Sequence, residues 1–597
     1  MPQYKVPLRE FRYVLYDVLR VESHYRDLGR DDVNAELIDG VLEGCTRFAE
    51  DVVAPTSEAG DRVGVRRTDD GRVITPPGFV EAYRQYVEDG WAALCGPEDA
   101  GGQGLPESFG GPVGEMLVSA NMSWKLYSGL TDSAVLCVAK HANEELRKVY
   151  LPKMVTGVWS GTMCLTESHA GTDLGIMRTR AEPEADGSFR ISGTKIFITS
   201  GEHDLTENIV HMVLAKLPDA PAGSRGISLF LVPKYLPDAN GAPGEANGVS
   251  CASLEHKLGI HGSATCVMNF DNSRGWLIGE INGGLKCMFT MMNHARLWVG
   301  LQGLAQCEGA YQAALAYARE RRQGRSSSGG ASAAADPIIG HPDVRRMLLT
   351  QKSLIEGARV LTWFASLQMD RALHHPDAAE RERADGLLAI LTPIVKGFVT
   401  DMSLECTSLA IQVHGGHGYV RETGVEQYFR DARITAIYEG TNGIQALDLL
   451  SRKVLGTGGT LARQLGGMIG GFCERHAGSE ALSEFITPLA GLLKEWSDAT
   501  EGVARRAARE PDEAGAAAMD YLMVSGYLCL AWCWARMAAV STAALQKGGA
   551  DGAFHQAKLS TARFYFKRIL PRAEAHLDAL GAGARPVMEL PADQFAF

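Results

Sequence analysis

At 597 residues, with 45% hydrophobic side chains, the chain is too long for one hydrophobic core and holds ample apolar material for several. Its formal net charge of −12 argues against non-specific nucleic-acid binding, which needs clustered Lys and Arg to displace counterions from phosphates. Twelve cysteines are scattered singly without a Cys-x-x-Cys pair, so they read as reduced core residues of a cytoplasmic protein with no metal site.

The first residues, Met1-Pro2-Gln3-Tyr4-Lys5, mix charged and apolar types and offer no continuous apolar run, so no signal peptide is expected. From Asp31 to Lys140 apolar residues recur at helical spacing, as in Ile38, Val41, Leu42, Phe48 and Val52, with the turn Gly101-Gly102-Gln103-Gly104 interrupting them. Residues 1–158 are predicted as an N-terminal arm and helical domain. The texture changes near Val158, where the β-rich runs Gly161–Thr166, Phe189–Ser192, Lys195–Thr199 and Ile227–Val232 alternate with Gly, Asp and Pro turns. A β-barrel or sandwich is expected over 159–282.

After Gly283 the helical period returns, with Val344, Met347, Leu348, Leu354, Ala358 and Leu361 forming one stripe behind the helix-starting Pro342. This predicts a helical bundle over 283–455, interrupted between Arg325 and Asp336 by a small, polar stretch expected to be a mobile loop. Gly456-Thr457-Gly458-Gly459 opens a further helical region, 456–597. Its run Tyr521–Leu545 comes nearest to a membrane span. Ser525, Gly526, Arg536, Ser541 and Thr542 leave its uninterrupted apolar part shorter than the roughly 20 residues a bilayer needs, so a buried helix is expected and no membrane span. The predicted fold class is α+β: N-terminal helical domain, central β-barrel or sandwich, C-terminal helical bundle and an additional C-terminal helical domain.

One carboxylate stands out. Glu439 lies in Ile437-Tyr438-Glu439-Gly440-Thr441-Asn442-Gly443-Ile444-Gln445, an otherwise uncharged run, wedged between an aromatic ring and a glycine. A loop placing it in an apolar cleft would raise its pKa toward a value suited to taking a proton. The same local residues also fit a glutamate capping a helix at Thr441.

Five blocks, in order, carry a resemblance: Thr166-Glu-Ser-His-Ala-Gly-Thr-Asp173, Lys195-Ile-Phe-Ile-Thr199, Arg321, Gln412-Val-His-Gly-Gly-His-Gly-Tyr419 and Tyr438-Glu-Gly-Thr-Asn-Gly-Ile-Gln445. Together with the helical, β, helical order they resemble the acyl-CoA dehydrogenase family over about Asp31 to Val454. The arm and the C-terminal extension resemble its long bacterial subfamily, which includes 3-methylmercaptopropionyl-CoA dehydrogenases. The resemblance implies FAD as cofactor and abstraction of an acyl-CoA α-proton by Glu439 while the β-hydrogen leaves as hydride. It further implies an electron-transferring flavoprotein as acceptor and a homo-oligomer, with a dimer expected.

It also implies roles residue by residue. Thr166, Thr172, Phe197 and Thr199 would contact the cofactor, with Phe197 standing where the family usually has tryptophan. Thr172, Arg296, Tyr438 and Gly440 would line the substrate site. Arg321, Gln412, Gly415 and Gly416 would reach the FAD of a neighbouring subunit, Gly324 replacing a usual aromatic. Thr441 and Gln445 would hold the loop and touch the flavin. Some members carry the base just before the arginine matched by Arg296; here that residue is Ala295, which cannot take a proton. Rival readings are a medium- or long-chain fatty acyl-CoA dehydrogenase of β-oxidation, an acyl-CoA oxidase, and a DNA-associated flavoprotein of the same superfamily. The last needs a basic face, against which Glu510-Pro-Asp-Glu513 speaks.

Overall fold

A computed structural model describes residues 4–326 and 335–596. Most of the serine- and alanine-rich stretch expected to be a mobile loop, 327–334, lies outside the described residues. The chain divides into two compact units, one of Cys45–Phe109 and Met116–Trp298, the other of Met1–Gly44, Gly110–Glu115 and Val299–Phe597.

The first unit holds the expected barrel. Helices α1 (Phe79–Glu88), α2 (Gly110–His141) and α3 (Glu144–Val155) precede seven strands of one sheet. These are β1 (Trp159–Cys164), β2 (Arg180–Pro183), β3 (Phe189–Thr199), β4 (Asn208–Lys216), β5 (Ile227–Pro233), β6 (Val249–Leu254) and β7 (Thr265–Ile278). Strand β7 pairs with β3, β3 with β2, β2 meets β4, β4 pairs with β5, and β5 returns to β7, so five strands close on themselves. Closure leaves no edge among them; β1 joins β4 in parallel and β6 extends β7. Strands β4 and β5 are almost wholly buried, so they read as continuous apolar runs. Trp159, Val210, Met212, Leu214, Leu229 and Leu231 meet Ala134, Val138, Tyr150 and Met154 of α2 and α3 in one core.

Helix α2 bends at Asn121, whose φ of −160° and ψ of 99° break the helix. Its side chain accepts from Trp124 N (3.1 Å) and donates to Thr56 Oγ1 (2.8 Å), acting as an internal cap. Helix α3 starts conventionally, Asn143 accepting from Leu146 N at 2.9 Å.

The other unit is helical. From Val299 onward it comprises the end of α4 (Gly284–Glu320), then α5 (Pro342–His374), α6 (Ala378–His414), α7 (Val425–Ala432), α8 (Asn442–Leu447), α9 (Thr460–His476), α10 (Ser483–Ala507), α11 (Asp512–Lys547), α12 (Gly552–Phe564) and α13 (Arg572–Gly581). Pro342 occupies the first turn of α5 as predicted. A Cβ on Gly300 would lie 2.5 Å from Val395 Cγ1, so glycine sets how closely α4 and α6 approach. Arg359, 1% exposed, joins Glu115 and Glu308 in a buried triad, with Nε donating to Glu115 at 2.8 Å and Nη2 to Glu308 at 2.7 Å. Helix α11 is the buried helix expected at Tyr521–Leu545: Trp534 Nε1 donates to Ser353 O of α5 (2.8 Å) and Trp496 Nε1 to Ser525 Oγ (2.9 Å). Among the described residues two helices, Ala378–Tyr419 and α11, are long and apolar enough to cross a membrane, and 78% and 61% of their most apolar windows are buried within the protein. No disulfide joins the twelve cysteines, all of which lie among the described residues, and Cys95 alone is partly exposed.

Candidate active site

The predicted residues divide between the units. On the barrel, Thr166 follows the end of β1, and Ile196 N of β3 donates to its carbonyl at 2.9 Å. The pairing of β3 with β7 runs Ile198↔Cys266 and then Lys195↔Met268, so Ile196 and Phe197 together oppose the single Val267. This is a β-bulge, a device that re-aims a side chain. Phe197 takes the left-handed φ of 59°, and its side chain, 59% exposed, stands out from the sheet. An apolar ring held in a strained backbone and left uncovered points to a function outside the chain's own core. Thr199, half-buried, pairs with Thr265 at the strand end. Thr172 is exposed on the turn leading to Asp173, which caps Gly175 at 2.8 Å.

A buried ion pair lies beneath these residues. Lys195 Nζ is 2.9 Å from Glu167 Oε1 and donates to Leu165 O at 2.9 Å. Glu167 also accepts from Arg178 N (2.7 Å), Thr179 N (3.0 Å) and Thr179 Oγ1 (2.6 Å). Burial pushes the Glu167 carboxyl up, but the Lys195 ammonium and these donors outweigh it and hold it down at about 2. The pair ties the segment after β1 to the bulged strand, and so ties Thr166 to Phe197. In the sequence both residues lie inside the motif blocks, and a lysine on an inward strand position is the signal that marks the pair.

Arg296 on α4 is buried. Nearby in the chain, His294 Nδ1 lies 2.8 Å from Ser133 Oγ, and burial pushes its imidazole down to about 4, so it is neutral near pH 7.

On the helical unit, a 3-10 turn at Arg433–Ala436 delivers the chain to Glu439. Glu439 is partly buried and takes φ 56°, and Gly440 follows at φ 87°, so two successive left-handed residues reverse the chain. Thr441, not Glu439, caps α8, its hydroxyl accepting from Ile444 N at 3.4 Å. Tyr438 donates from its hydroxyl to Gln302 Oε1; burial, then the Glu439 charge, push its phenol well above the ordinary value, so it stays a neutral donor. Gln445, with no exposed surface, donates from Nε2 to the carbonyls of Glu439 and Gly440, both at 3.2 Å, and its buried Oε1 has no partner among the described residues.

The third set lies elsewhere on the helical unit. Arg321, Gln412, Gly415 and Gly416 are exposed. Tyr317, one turn before Arg321, stacks on His414 with ring centroids 4.4 Å apart, which brings the end of α4 to the Gln412–Gly416 turn. A Cβ on Gly415 or Gly416 would meet nothing within 4 Å, so their backbone faces open space. Gly324 has φ 67°, a conformation an aromatic residue would adopt only under strain, which accounts for glycine there. Gln412 is separated from Gly397, beside α8, by fifteen residues of α6, roughly 22 Å along the helix axis.

Family models match in the same order. That for the acyl-CoA dehydrogenase N-terminal domain covers residues 39–158, the middle domain 162–273, the C-terminal domain 282–454, and one described as acetyl-CoA dehydrogenase C-terminal like 465–591. The chain is 44% identical over 578 residues to 3-methylmercaptopropionyl-CoA dehydrogenase of Ruegeria pomeroyi, covering 96% of this chain and 97% of the relative. It is 34% identical over 618 residues to the broad-specificity linear acyl-CoA dehydrogenase FadE5 of Mycobacterium tuberculosis, covering all of both. Among solved structures, an acyl-CoA dehydrogenase of Bacillus anthracis complexed with FAD shares the fold, with TM-score 0.74 at 20% identity, over 92% of this chain and 89% of that one.

Proposed function

The chain belongs to the acyl-CoA dehydrogenase family, FAD-dependent oxidoreductases of fatty acid metabolism, and on that premise we propose that Glu439 is the base that removes the α-proton of a bound acyl-CoA thioester. The observation that supports it is the backbone. A glutamate held left-handed costs on the order of 1–3 kcal/mol and persists only where its surroundings impose it; here Gln445 grips the two carbonyls of the reversal.

The residues present fit FAD. On the barrel unit, threonine hydroxyls at the strand ends and an uncovered aromatic ring on a bulge are of the donor and wall types that a flavin ring uses; on the helical unit, the buried Gln445 Oε1, without a partner among the described residues, is an acceptor of the type it uses. We assign Thr166, Thr172, Phe197, Thr199, Thr441 and Gln445 to holding it. Bound FAD supplies the acceptor for the β-hydrogen.

Everything else falls to the protein. The α-proton of a thioester is a weak acid, so the oxygen on which charge develops needs donors. The family resemblance gives this part to the backbone N–H of Glu439, and one such donor contributes about 3 kcal/mol or more in a dry cleft. Tyr438, anchored to Gln302, and Gly440 shape the loop beside the acyl chain, with Arg296 and Thr172 assigned to substrate as well.

The acyl group is taken to be short, 3-methylmercaptopropionyl-CoA being the first candidate because the Ruegeria relative bears that name; medium and long chains are the alternative. Electrons pass on to an electron-transferring flavoprotein in the cytoplasm. Arg321, Gln412, Gly415 and Gly416, all exposed, serve the FAD of a second copy in a homodimer, as the resemblance implies. The division into 1–158, 159–282, 283–455 and 456–597 is the domain scheme that goes with this reading.

The test is anaerobic titration of wild type and Glu439→Gln with short, medium and long acyl-CoA thioesters while the visible flavin band is followed. The variant is expected to bind FAD and thioester and to lose bleaching by several orders of magnitude. Near-normal bleaching removes Glu439 as the base.

A further inference from the structure

We infer that a buried clamp of Lys396, Thr400, Asp401 and Asn442, backed by Leu522 of the C-terminal helix α11, positions the Glu439 loop for proton transfer. This rests on Glu439 being the base.

Asn442 is the first residue of α8, three residues after Glu439, and is 6% exposed. Its amide is used on both sides. Oδ1 accepts from Lys396 Nζ at 2.9 Å, while Nδ2 donates to Gly397 O at 3.1 Å and to Asp401 Oδ1 at 2.8 Å. Thr400 Oγ1 lies 2.9 Å from Nδ2 and 3.1 Å from Oδ1. Lys396 and Thr400 have no exposed surface. A buried ammonium is costly unless it is hydrogen-bonded, so its presence in the apolar run Ile390–Phe398 calls for a reason. The fastening of Asn442 supplies one.

The apolar side of the device comes from the C-terminal region. Gly397 has no room for a side chain: a Cβ there would sit 2.6 Å from Leu522 Cδ2 and 3.4 Å from Gln445 Cβ. Helices α6, α8 and α11 therefore meet at Gly397. Leu522 and Gln445 both flank the position a Gly397 Cβ would take, and Gln445 holds the carbonyls of Glu439 and Gly440. The first turn of α8 is thus fixed at Asn442 by hydrogen bonds and at Gln445 by packing. Between these anchors and the 3-10 turn at Arg433–Ala436, the loop has little freedom to relax out of its left-handed geometry. A helix beyond the usual three-domain core thereby becomes part of the scaffold of the base.

A shift of about 1 Å at a reacting group can cost about 100-fold in rate, so the clamp has a kinetic signature. The experiment uses FAD-loaded Asn442→Ala and, from the apolar side, Leu522→Ala, should the first not fold. Three quantities are measured: the rate of flavin reduction per bound flavin, the acyl-CoA Kd, and the isotope effect with Cα-deuterated substrate. The expected result is a fall of at least tenfold in the per-flavin rate with Kd within threefold of wild type, and a larger isotope effect because proton abstraction has become slower. A per-flavin rate within twofold of wild type and an unchanged isotope effect would overturn the proposal, whatever happens to melting temperature or FAD content. If Glu439→Gln is inactive while both clamp variants are normal, the clamp alone is wrong. If Glu439→Gln still turns over, the base assignment has failed and the clamp falls with it.

Discussion

Lys195→Met should expose how much the barrel unit depends on one ion pair. The substitution keeps most of the side-chain volume and removes the ammonium, leaving the Glu167 carboxylate 5% exposed. Removing one partner of a buried pair costs about 3–5 kcal/mol, chiefly because the other charge is stranded. Glu167 keeps three donors, from Arg178 N, Thr179 N and Thr179 Oγ1, which puts the loss at the low end. Leu165 O loses its donor as well, so about 3 kcal/mol is expected. In a unit of about 250 residues that corresponds to a fall in melting temperature of roughly 6–12 °C. The assay is a thermal melt of the FAD-loaded protein with Lys195→Met, Glu167→Gln and the double variant. The double variant should lose less than the sum of the singles, because each single strands a group that the other removes. The pH dependence gives a second check. The folded Glu167 carboxyl is held below its unfolded value, so its contribution is present above about pH 4.5 and disappears as pH falls toward 2. The variants should flatten that acid limb. A melting temperature within 1 °C of wild type in Lys195→Met, with additive singles, would refute the reasoning.

Two further substitutions probe other levels. In Gly526→Ala the new Cβ would fall 2.1 Å from the Phe398 ring, so α11 must move away from α6; destabilisation of about 3 kcal/mol is expected in denaturant melts, and a wild-type midpoint would mean the contact yields freely. Phe197→Gly relieves the left-handed backbone at φ 59° while deleting the exposed ring, so the FAD-free protein should melt no lower than wild type while FAD Kd rises at least tenfold; an unchanged Kd would remove Phe197 from the cofactor site.

Local pattern carried far in this chain. The change near Val158 from helical spacing to short β-rich runs, the helix start at Pro342 and the apolar stretch of α11 all follow from spacing and composition, and the α+β class was legible from them. Glu439 was conspicuous in the same way, as a carboxylate in an uncharged run. Lys396 is legible in the same way, as a lone charge among Ile394, Val395, Phe398 and Val399, but nothing local names its partner. Asn442 lies 46 residues away.

What the tertiary structure alone decided is of that kind. The runs Phe189–Ser192 and Lys195–Thr199, read apart in sequence, are one strand, and the bulge that turns Phe197 outward exists only in its register with β7. Ring closure depends on β7 meeting β3 at one end and β5 at the other. Glu439 is left-handed, Gln445 donates to the two carbonyls of that reversal, and Gln445 and Leu522, 77 residues further on, both flank Gly397. Periodicity records which face of an element is buried. It holds no information on which distant element will cover that face, and here α6, α8 and α11, far apart in sequence, meet at Gly397.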